Sequence, residues 1–310
     1  MYLHTTKVVG HVILQKTQKI MGDRMLNEYF AHLTATGKSE NTIKTYRRQL
    51  TQFFQWLEKN SDCTEPKSIT SIDAVEYRRF LQDVKGLKPA SINTALATIE
   101  AFCVWMHKQG YMTHNPLADV KRVEQVQEAP KWLNKNEKYR VIRVALNEKN
   151  KRNGAIILTL LMAGLRSEEL INLRPEDVLI SERKGSIVVR AGKGNKRRVV
   201  PIPKDLRKCL AEYLVTENAT GTWLFPSQRA DKLTYNGLYN LCVEIGKKAK
   251  VEGLTPHVLR HTYGHDLVAS GVRIDVVAKL MGHSKIDTTL IYTQPGEEEL
   301  QNAVEAISFT

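Results

Sequence analysis

The sequence has few cysteines, and none of them is placed to bind a metal or to form a close redox pair. They lie far apart, form no C-x-x-C motif and have no histidine nearby at zinc-finger spacing. This pattern excludes a cysteine-based zinc finger and is typical of reduced, buried thiols in a cytosolic protein. The four cysteines are Cys63, Cys103, Cys209 and Cys242.

Long hydrophobic runs are also missing. The longest apolar stretch, residues 155–165 (AIILTLLMAGL), is well short of the roughly 20 residues that a membrane-spanning helix needs, so we expect it to be a core helix. Residues 1–20 contain only a short apolar patch, HVIL, and no small-residue cleavage pattern follows it, so they do not predict a signal peptide. We expect a cytoplasmic protein that has no membrane partner.

Neither a nucleotide-binding loop nor a cluster of carboxylates is evident. The GKG of residues 192–194 is no phosphate-cradling loop, because no G-K-[ST] follows it. The sequence also contains no obvious carboxylate cluster of the kind that holds a divalent ion. We therefore expect no nucleotide cofactor and no metal.

A strong positive charge is what the sequence does have. The formal net charge is +13 and the pI is near 9.5, while the hydrophobic fraction of 42% and the charged fraction of 25% are ordinary. Such a charge attracts polyanions, and nucleic acid is the commonest polyanionic partner. An anionic membrane surface would serve equally well, and many basic proteins bind neither. Charge alone leaves these alternatives open.

The chain is long enough for two domains, because 310 residues exceed the size at which one hydrophobic core usually stops growing. In residues 21–112 apolar side chains recur at three- and four-residue spacing, which predicts amphipathic helices throughout. Four such helices make a small bundle that can fold alone. They are predicted at residues 26–36, 41–59, 72–84 and 90–108.

A linker is predicted at residues 113–131, which contain two prolines, few large apolar groups and no sustained periodicity. Residues 132–310 then combine helices with one hairpin, formed by residues 186–190 (SIVVR) and 197–203 (RRVVPIP). The predicted fold class is therefore mainly α with a small β-hairpin or sheet. Further helices are predicted at residues 204–216, 233–250, 256–270 and 274–281.

Arg166 lies in the first candidate motif, GLRSEEL. It directly follows the apolar run and stands at the start of a predicted helix, where backbone N–H groups and a guanidinium together favour an anion. Glu169, one helical turn further on, is placed to hold that guanidinium in position. An ordinary surface arginine beside acidic neighbours would have the same local pattern.

Lys193 is the second candidate and lies at the tip of the predicted hairpin. A lysine on a turn can reach a bound DNA backbone and donate a proton to a leaving oxygen. Lysine is also commonplace at glycine-rich turns, where it usually only keeps the loop solvated. The basic cluster around the tip consists of Lys193, Lys196, Arg197 and Arg198.

His257 and Arg260 form the third candidate, within TPHVLRHTYGHDL. They are three residues apart, so on a helix they share a face and can address one phosphate, the histidine by hydrogen bonding or proton transfer and the arginine by a bidentate clamp. His257, His261 and His265 would also share a face, which leaves metal binding as an alternative. The protease version of such a helix needs a glutamate where Val258 stands.

His283 and Tyr292 complete the candidates, in LMGHS and TTLIYT. Tyr292 follows His283 by nine residues. A tyrosine beside Leu290 and Ile291 is more often a half-buried packing residue than a nucleophile. Each of the four candidate motifs is unremarkable alone, but their occurrence together in one order indicates a shared function.

That order resembles the catalytic set of the tyrosine recombinase family, the phage-integrase and Xer-type enzymes. GLRSEEL resembles its first-arginine motif, AGKGNKRRVVPIP its lysine hairpin, HVLRHT its His-x-x-Arg box, LMGHS its second-histidine box and IYT its nucleophile box. ENTIKTYRRQLTQFFQWL resembles its core-binding helical domain, so the resemblance covers nearly all of the chain. The resembling residues are Arg166, Lys193, His257, Arg260, His283 and Tyr292.

The resemblance implies a site-specific DNA recombinase, either an integrase or resolvase of a mobile element or an Xer-type enzyme. Tyr292 would attack a phosphodiester and become linked to its 3′ phosphate. Arg166 and Arg260 would neutralise the phosphate, and Lys193 would protonate the leaving 5′ oxygen. Both histidines of the set would donate hydrogen bonds to the phosphate, and His257 would assist in deprotonating Tyr292.

The resemblance also implies a domain plan. It assigns residues 21–112 to a core-binding DNA-binding domain, 113–131 to a linker and 132–310 to the catalytic domain with its C-terminal tail. Residues 1–20 precede the family pattern, and we expect an N-terminal extension of uncertain role. The tail residues Leu300, Val304 and Ile307 follow helical spacing and would either dock on a neighbouring subunit or pack on their own domain.

The implied partners are double-stranded DNA carrying specific recombination sites, three further copies of the chain in a homo-tetramer, and accessory DNA-bending proteins, in a nucleoid-associated location. Stored phosphotyrosine bond energy makes ATP unnecessary. The candidates for DNA contact in the second predicted helix are Lys44, Arg47 and Arg48.

Two rival functions stay open at this point. A type IB topoisomerase uses a similar residue set to relax supercoils and reseals the same strand, although the size and the helical N-terminal domain favour a recombinase. A non-catalytic DNA-binding regulator with a degenerate site is the other rival. All six catalytic positions hold competent residues, which argues against a regulator.

Overall fold

A computed structural model gives the architecture of most of the chain. It divides the chain into two compact units, Met1–Gln127 and Glu128–Thr310. Residues 1–20, Cys63, Lys193 and Leu300, which the predictions above single out, lie outside the described residues. The described residues are 24–61, 65–125, 130–190, 197–215, 221–227, 230–283, 286–292, 301, 304, 305 and 307.

The first unit contains the four predicted helices in its described part. Local capping fixes the start of the third helix: the Thr70 side chain accepts from the Asp73 amide, and the Asp73 carboxylate accepts from the Thr70 amide. The third helix continues into a π-helical turn, Phe80–Val84. The four helices are α1 (24–35), α2 (Glu40–Asn60), α3 (Ser71–Arg79) and α4 (Pro89–Lys108).

Aromatic side chains dominate the core of the first unit. The rings of Phe53 and Tyr77 meet edge to face with centroids 4.9 Å apart, and those of Tyr29 and Phe102 meet in the same way at 5.2 Å. These four side chains come from four different helices and are fully buried. Packing between the amphipathic faces therefore holds the bundle together, as the periodicity predicts.

The first part of the predicted linker packs on this unit. Leu117 is buried in the aromatic core. Further along, the Asn93 side chain exchanges two hydrogen bonds, of 2.8 and 2.9 Å, with the backbone of Val123. The sequence could not indicate this docking, because the segment has no sustained hydrophobic period.

The second unit combines eight helices with a small sheet in its described part, which confirms the predicted fold class. Helices at 204–216, 233–250, 256–270 and 274–281 were predicted to within two residues. The helices are α5 (Lys135–Leu146), α6 (Lys151–Ala163), α7 (Ser167–Ile171), α8 (Lys204–Leu214), α9 (Tyr235–Ala249), α10 (Pro256–Ala269), α11 (Ile274–Met281) and α12 (Asp287–Leu290).

The sheet contains the predicted hairpin and one further strand. β2 (Gly185–Val189) pairs antiparallel with β3 (Arg198–Pro201), with Ile187 opposite Val200. β1 (Val178–Ile180) pairs antiparallel with the other edge of β2. Three residues give too short an alternation to identify β1 from sequence.

Helix α6 is the core helix that the apolar run predicts. It is buried on all sides, and it ends at Gly164 in the left-handed conformation, φ +59°. A Cβ at Gly164 would lie 2.1 Å from Cδ1 of Tyr263, so glycine also lets α10 approach closely. The turn places Arg166 at the N-cap of α7. Within the described residues, neither α6 nor any other helix is long and apolar enough to span a membrane.

The three cysteines in the described residues are free thiols. Cys103 and Cys242 are buried, and Cys209 is half-buried. Burial raises the pKa of Cys242 to about 12, and it raises that of Cys103, near Glu100, to the same value. These thiols are protonated at neutral pH, as the sequence predicts for structural cysteines.

Candidate active site

Arg260 lies at the centre of the candidate site, on α10. Its side chain is 7% exposed and donates to the backbone oxygens of Gly164 and, at 2.7 Å, Met281. It also donates at 3.1 Å to Nε2 of His283. Burial, together with the charge of nearby Arg166, lowers the pKa of Arg260 to about 10, so the guanidinium stays charged at neutral pH. One buried cation thus links α10 to the C-terminal ends of α6 and α11.

Arg166 is held beside it by Glu169, as predicted. Its Nη1 donates to the Glu169 carboxylate at 2.9 Å, and its Nη2 donates to the Gly282 carbonyl at 2.6 Å. The backbone N–H of Arg166 also donates to Glu169, at 2.7 Å. This amide is therefore taken by a protein carboxylate, and the guanidinium is what Arg166 can offer to an anion.

Arg198, on β3, makes a second contact with the same carboxylate. It donates to both oxygens of Glu169, at 2.6 and 2.8 Å, and to the Leu280 carbonyl at 3.2 Å. Burial alone would raise the pKa of Glu169, but the hydrogen bonds and charges of Arg198 and Arg166 outweigh it and hold the pKa at about 2. A buried anion therefore fixes the two arginines.

His283 lies next to Arg260 and is a neutral group at physiological pH. Burial, followed by the charges of Arg260, Arg166 and Arg198, lowers its pKa to about 4. Nε2 must accept from Arg260, because a guanidinium cannot accept. Nδ1 therefore carries the proton and donates to Oγ1 of Thr289 at 2.8 Å.

Tyr292 is buried in this same region, with 3% of its surface exposed. Its hydroxyl lies 2.9 Å from Nδ1 of His261. Its ring lies nearly parallel to that of His283, with centroids 6.3 Å apart. Burial raises the pKa of Tyr292, and the charges of Arg260 and Arg166 oppose that rise, so both guanidinium groups are near enough to act on the phenol.

Four of the six predicted residues are thus brought together: Arg166, Arg260, His283 and Tyr292. His257 is exposed on α10, and its ring centroid lies 6.5 Å from that of His261. Lys193 lies outside the described residues.

Two histidines of α10 contact aromatic side chains. His261 contacts Tyr292, and the ring of His265 stacks on Trp132 with centroids 4.5 Å apart. In the parts of the chain that the structure describes, no group of three or more histidine, cysteine or acidic side chains is arranged to hold a metal ion.

Comparison with known families decides the assignment. The family model described as "Phage integrase family" matches residues 131–299, and "Phage integrase, N-terminal SAM-like domain" matches residues 26–110. The chain belongs to the phage integrase family. The recombinase is 31% identical over 297 residues to tyrosine recombinase XerA of Pyrococcus horikoshii, which covers 94% of this chain and 96% of the relative. It is 29% identical to tyrosine recombinase XerD of Haemophilus influenzae, covering 91% and 96%.

Solved structures agree with this family. A crystal structure of XerA recombinase matches with a TM-score of 0.52 at 27% identity, covering 93% of this chain and 99% of that chain. A XerH site-specific recombinase bound to a palindromic difH substrate shares the fold, with a TM-score of 0.73 at 23% identity and coverage of 85% and 79%. The protein is an enzyme, a site-specific DNA recombinase, and neither rival function is favoured.

Two residues of the site, Arg198 and His261, were not predicted to take part in it. Arg198 stood in the basic cluster, but nothing local linked it to Glu169, which is 29 residues away. His261 was considered only as one of three spaced histidines. The available signal was that His261 directly follows Arg260. A helix that presents Arg260 to the phosphate must also lie close to the tyrosine that attacks this phosphate.

Gly264 provides the space for Tyr292, and we expect Gly264→Ala to displace the tyrosine. An added Cβ would lie 2.8 Å from Cζ of Tyr292, closer than real Cβ contacts. With Tyr292 as the nucleophile that the resemblance implies, a displacement of about 1 Å can cost 10²-fold, so adduct formation with DNA should slow by about that factor. The variant should still fold, since alanine favours the helix by about 1 kcal/mol.

The measurement is the rate of covalent adduct formation, with Gly221→Ala as the matched control. A Cβ at Gly221 meets nothing within 4 Å, so this control should keep the normal rate. An unchanged rate for Gly264→Ala would mean that the packing of Tyr292 against Gly264 is unimportant for cleavage.

Proposed function

We propose that the recombinase cuts and rejoins DNA through a covalent 3′-phosphotyrosyl link at Tyr292. The observation that carries this proposal is the position of the Tyr292 phenol, buried within the field of Arg166 and Arg260. Attack on a phosphodiester gathers negative charge on the nonbridging oxygens. Two fixed guanidinium groups beside the nucleophile are placed to stabilise that charge.

The remaining predicted residues take the roles that the resemblance implies. Lys193 protonates the leaving 5′ oxygen. Arg198 supports this assignment because it anchors β3, the strand that follows Lys193, to Glu169, which also holds Arg166. His257 hydrogen-bonds to the phosphate, and Nε2 of His283 does so after the phosphate has taken its place beside Arg260. No metal takes part, since the two guanidinium groups provide the charge that a divalent ion would otherwise supply.

DNA binding uses phosphate contacts from both domains. The domains are residues 21–112 and 132–310, joined at 113–131. Arg48 is exposed on α2, which supports a DNA contact there. Arg47 lies over the Phe30 ring at 4.1 Å, and Lys44 pairs with Glu40 at 2.8 Å, so both are partly engaged.

On DNA the recombinase acts as a homo-tetramer, with two duplexes exchanging strands in pairs. Val304 and Ile307 of the tail are 62% and 76% exposed, which supports docking on a neighbouring subunit rather than packing in cis. The crystal structure of the lambda integrase protein with a COC′ core site describes a dimer. Accessory DNA-bending proteins and association with the nucleoid complete the proposal.

A nicked suicide substrate tests the proposed chemistry. A recognition duplex is first selected from a random double-stranded library by binding to the protein, and a nick is then placed next to the scissile phosphate. The strand end diffuses away after cleavage, so the protein should remain attached to DNA on a denaturing gel. Absence of an adduct on every nick position would overturn the proposal.

A supercoiled plasmid separates the proposal from topoisomerase activity. A plasmid that lacks the selected site should hardly be relaxed, because a recombinase cleaves only within an assembled, site-bound complex. Two selected sites placed on one plasmid should be recombined instead. Efficient relaxation of the plasmid without sites would indicate a type IB topoisomerase.

A further inference from the structure

The hydroxyl of Tyr292 has a partner outside the six residues assigned above. Nδ1 of His261 lies 2.9 Å from the phenolic oxygen, at ordinary hydrogen-bonding distance. We propose that His261 is the residue that accepts the proton of Tyr292 when the tyrosine attacks DNA. The proposal rests on Tyr292 being the nucleophile, and it replaces His257 in that one role.

The other nitrogen bases near Tyr292 are less suitable. Both ring nitrogens of His283 are occupied, one by Arg260 and the other by Thr289. Its ring plane is nearly parallel to that of the phenol, with centroids 6.3 Å apart, and its two nitrogens are engaged by these other residues. Within the described residues, His261 is therefore the group in direct hydrogen-bond contact with the reacting oxygen.

The protonation state of His261 suits an acceptor. Its half-buried ring is faced by His257 and Arg260 on its own helix, by His283 after α11, and by Tyr292 after α12. Burial, and then the charges of His257 and Arg260, lower its pKa to about 4. The imidazole is thus neutral at pH 7. In the tautomer that carries its proton on Nε2, the lone pair of Nδ1 accepts from the Tyr292 hydroxyl.

DNA binding would make His261 a stronger base. A phosphate held by Arg166 and Arg260 brings a negative charge close to the cation that lowers the pKa of His261. Opposite charges then offset one another, and the part of the pKa lowering that comes from Arg260 is reduced, although burial still lowers the pKa. The base would become effective when substrate fills the pocket, and it would be weak in the free protein.

The cleavage step balances without any outside reactant. The phenolic oxygen forms a bond to phosphorus while its proton passes to Nδ1 of His261. The bond from phosphorus to the 5′ oxygen breaks, and that oxygen takes a proton from Lys193. In the rejoining step the proton returns from His261 to Tyr292, and the attacking 5′ hydroxyl returns its proton to Lys193.

Two suicide substrates separate this role from that of the leaving-group acid. One contains the natural 5′ oxygen, and the other contains sulfur at that bridging position, because a thiolate leaves without being protonated. Lys193→Ala should be slow on the oxygen substrate and close to normal on the sulfur substrate. His261→Asn and His261→Leu should be about 10²-fold slower on both.

The pH profile gives a second readout. In the unmodified protein the rate should level off once His261 is neutral. In His261→Asn, whose side-chain oxygen keeps an acceptor but cannot carry the proton away, the rate should climb steadily with pH because the tyrosine must ionise by itself. His265→Asn, on the same helix but against Trp132, is the control and should keep both the rate and the profile.

The outcomes distinguish the two proposals. Normal rates for both His261 variants, or rescue of their defect by the sulfur substrate, would overturn the role of His261. Adduct formation by Tyr292→Phe would instead overturn the proposed nucleophile. DNA affinity is measured in parallel, so that a variant that fails to fold is recognised. If His261→Leu fails to fold, the rate of His261→Asn, the smaller change, decides whether His261 has this role.

Discussion

Replacing Arg260 with alanine is expected to slow formation of the covalent adduct about 10³-fold, the upper range for removing one preorganised charge-stabilising donor. The Arg260 side chain is 7% exposed, so its charge acts where water screens it poorly. It is also already oriented by Gly164 and Met281, so little reorganisation accompanies the reaction. The measurement is the single-turnover rate of adduct formation on the nicked duplex.

Arg260→Lys refines this prediction. Lysine keeps the positive charge but cannot donate in two fixed directions, so the variant should recover only part of the lost rate. Arg273→Ala is the matched control, since this arginine is exposed and pairs with Asp275 at 2.9 Å. Equal rates for Arg260→Ala and the unmodified protein would mean that the phosphate binds elsewhere.

Glu169→Gln is expected to lower the free energy of unfolding by about 3–5 kcal/mol, because it leaves buried cations without their counter-charge. The carboxylate accepts from Arg198 twice and from the side chain and the backbone amide of Arg166. Adduct formation should slow as well, since Arg166 would lose its orientation. Urea unfolding followed by circular dichroism measures the first effect.

The same carboxylate predicts how stability depends on pH. The pKa of Glu169 falls from its usual 4.5 to about 2 on folding, so the unfolded chain binds this proton more readily. The stabilisation is therefore present above about pH 4.5 and is lost as the pH falls toward 2. Glu169→Gln should remove that part of the acid dependence.

Glu168→Gln is the control for both measurements. Glu168 is the adjacent residue of α7 and its side chain is exposed, so neutralising it should change stability by well under 1 kcal/mol. If Glu169→Gln proved as stable as this control at neutral pH, the buried carboxylate could not be what holds Arg166 and Arg198 in place.

The parts of the site that sequence could predict are those encoded by short spacings. The three-residue interval between His257 and Arg260 predicted their placement along one helix, and Arg166 to Glu169 gave the carboxylate–guanidinium contact. The core helix α6 was readable because its apolar run was uninterrupted. Local sequence is sufficient where both partners lie within one or two helical turns.

Contacts between distant segments could not be predicted in this way. Arg198 and Glu169 meet because β3 packs beside α7, and no periodicity encodes that approach. The contact of His261 with Tyr292 spans 31 residues and depends on how α11 and α12 turn the chain back onto α10. The strand β1 was missed for a related reason, since its identity depends on pairing with β2.

The central claim is that the phenol of Tyr292 attacks DNA from within the arginine pocket. Mass spectrometry of the trapped adduct, after digestion of protein and DNA, tests it most directly. We predict that the phosphonucleotide is attached to the peptide containing Tyr292 and that Tyr292→Phe yields none, although it still binds the duplex. Attachment to another residue, such as the neighbouring buried Tyr263, would contradict the account.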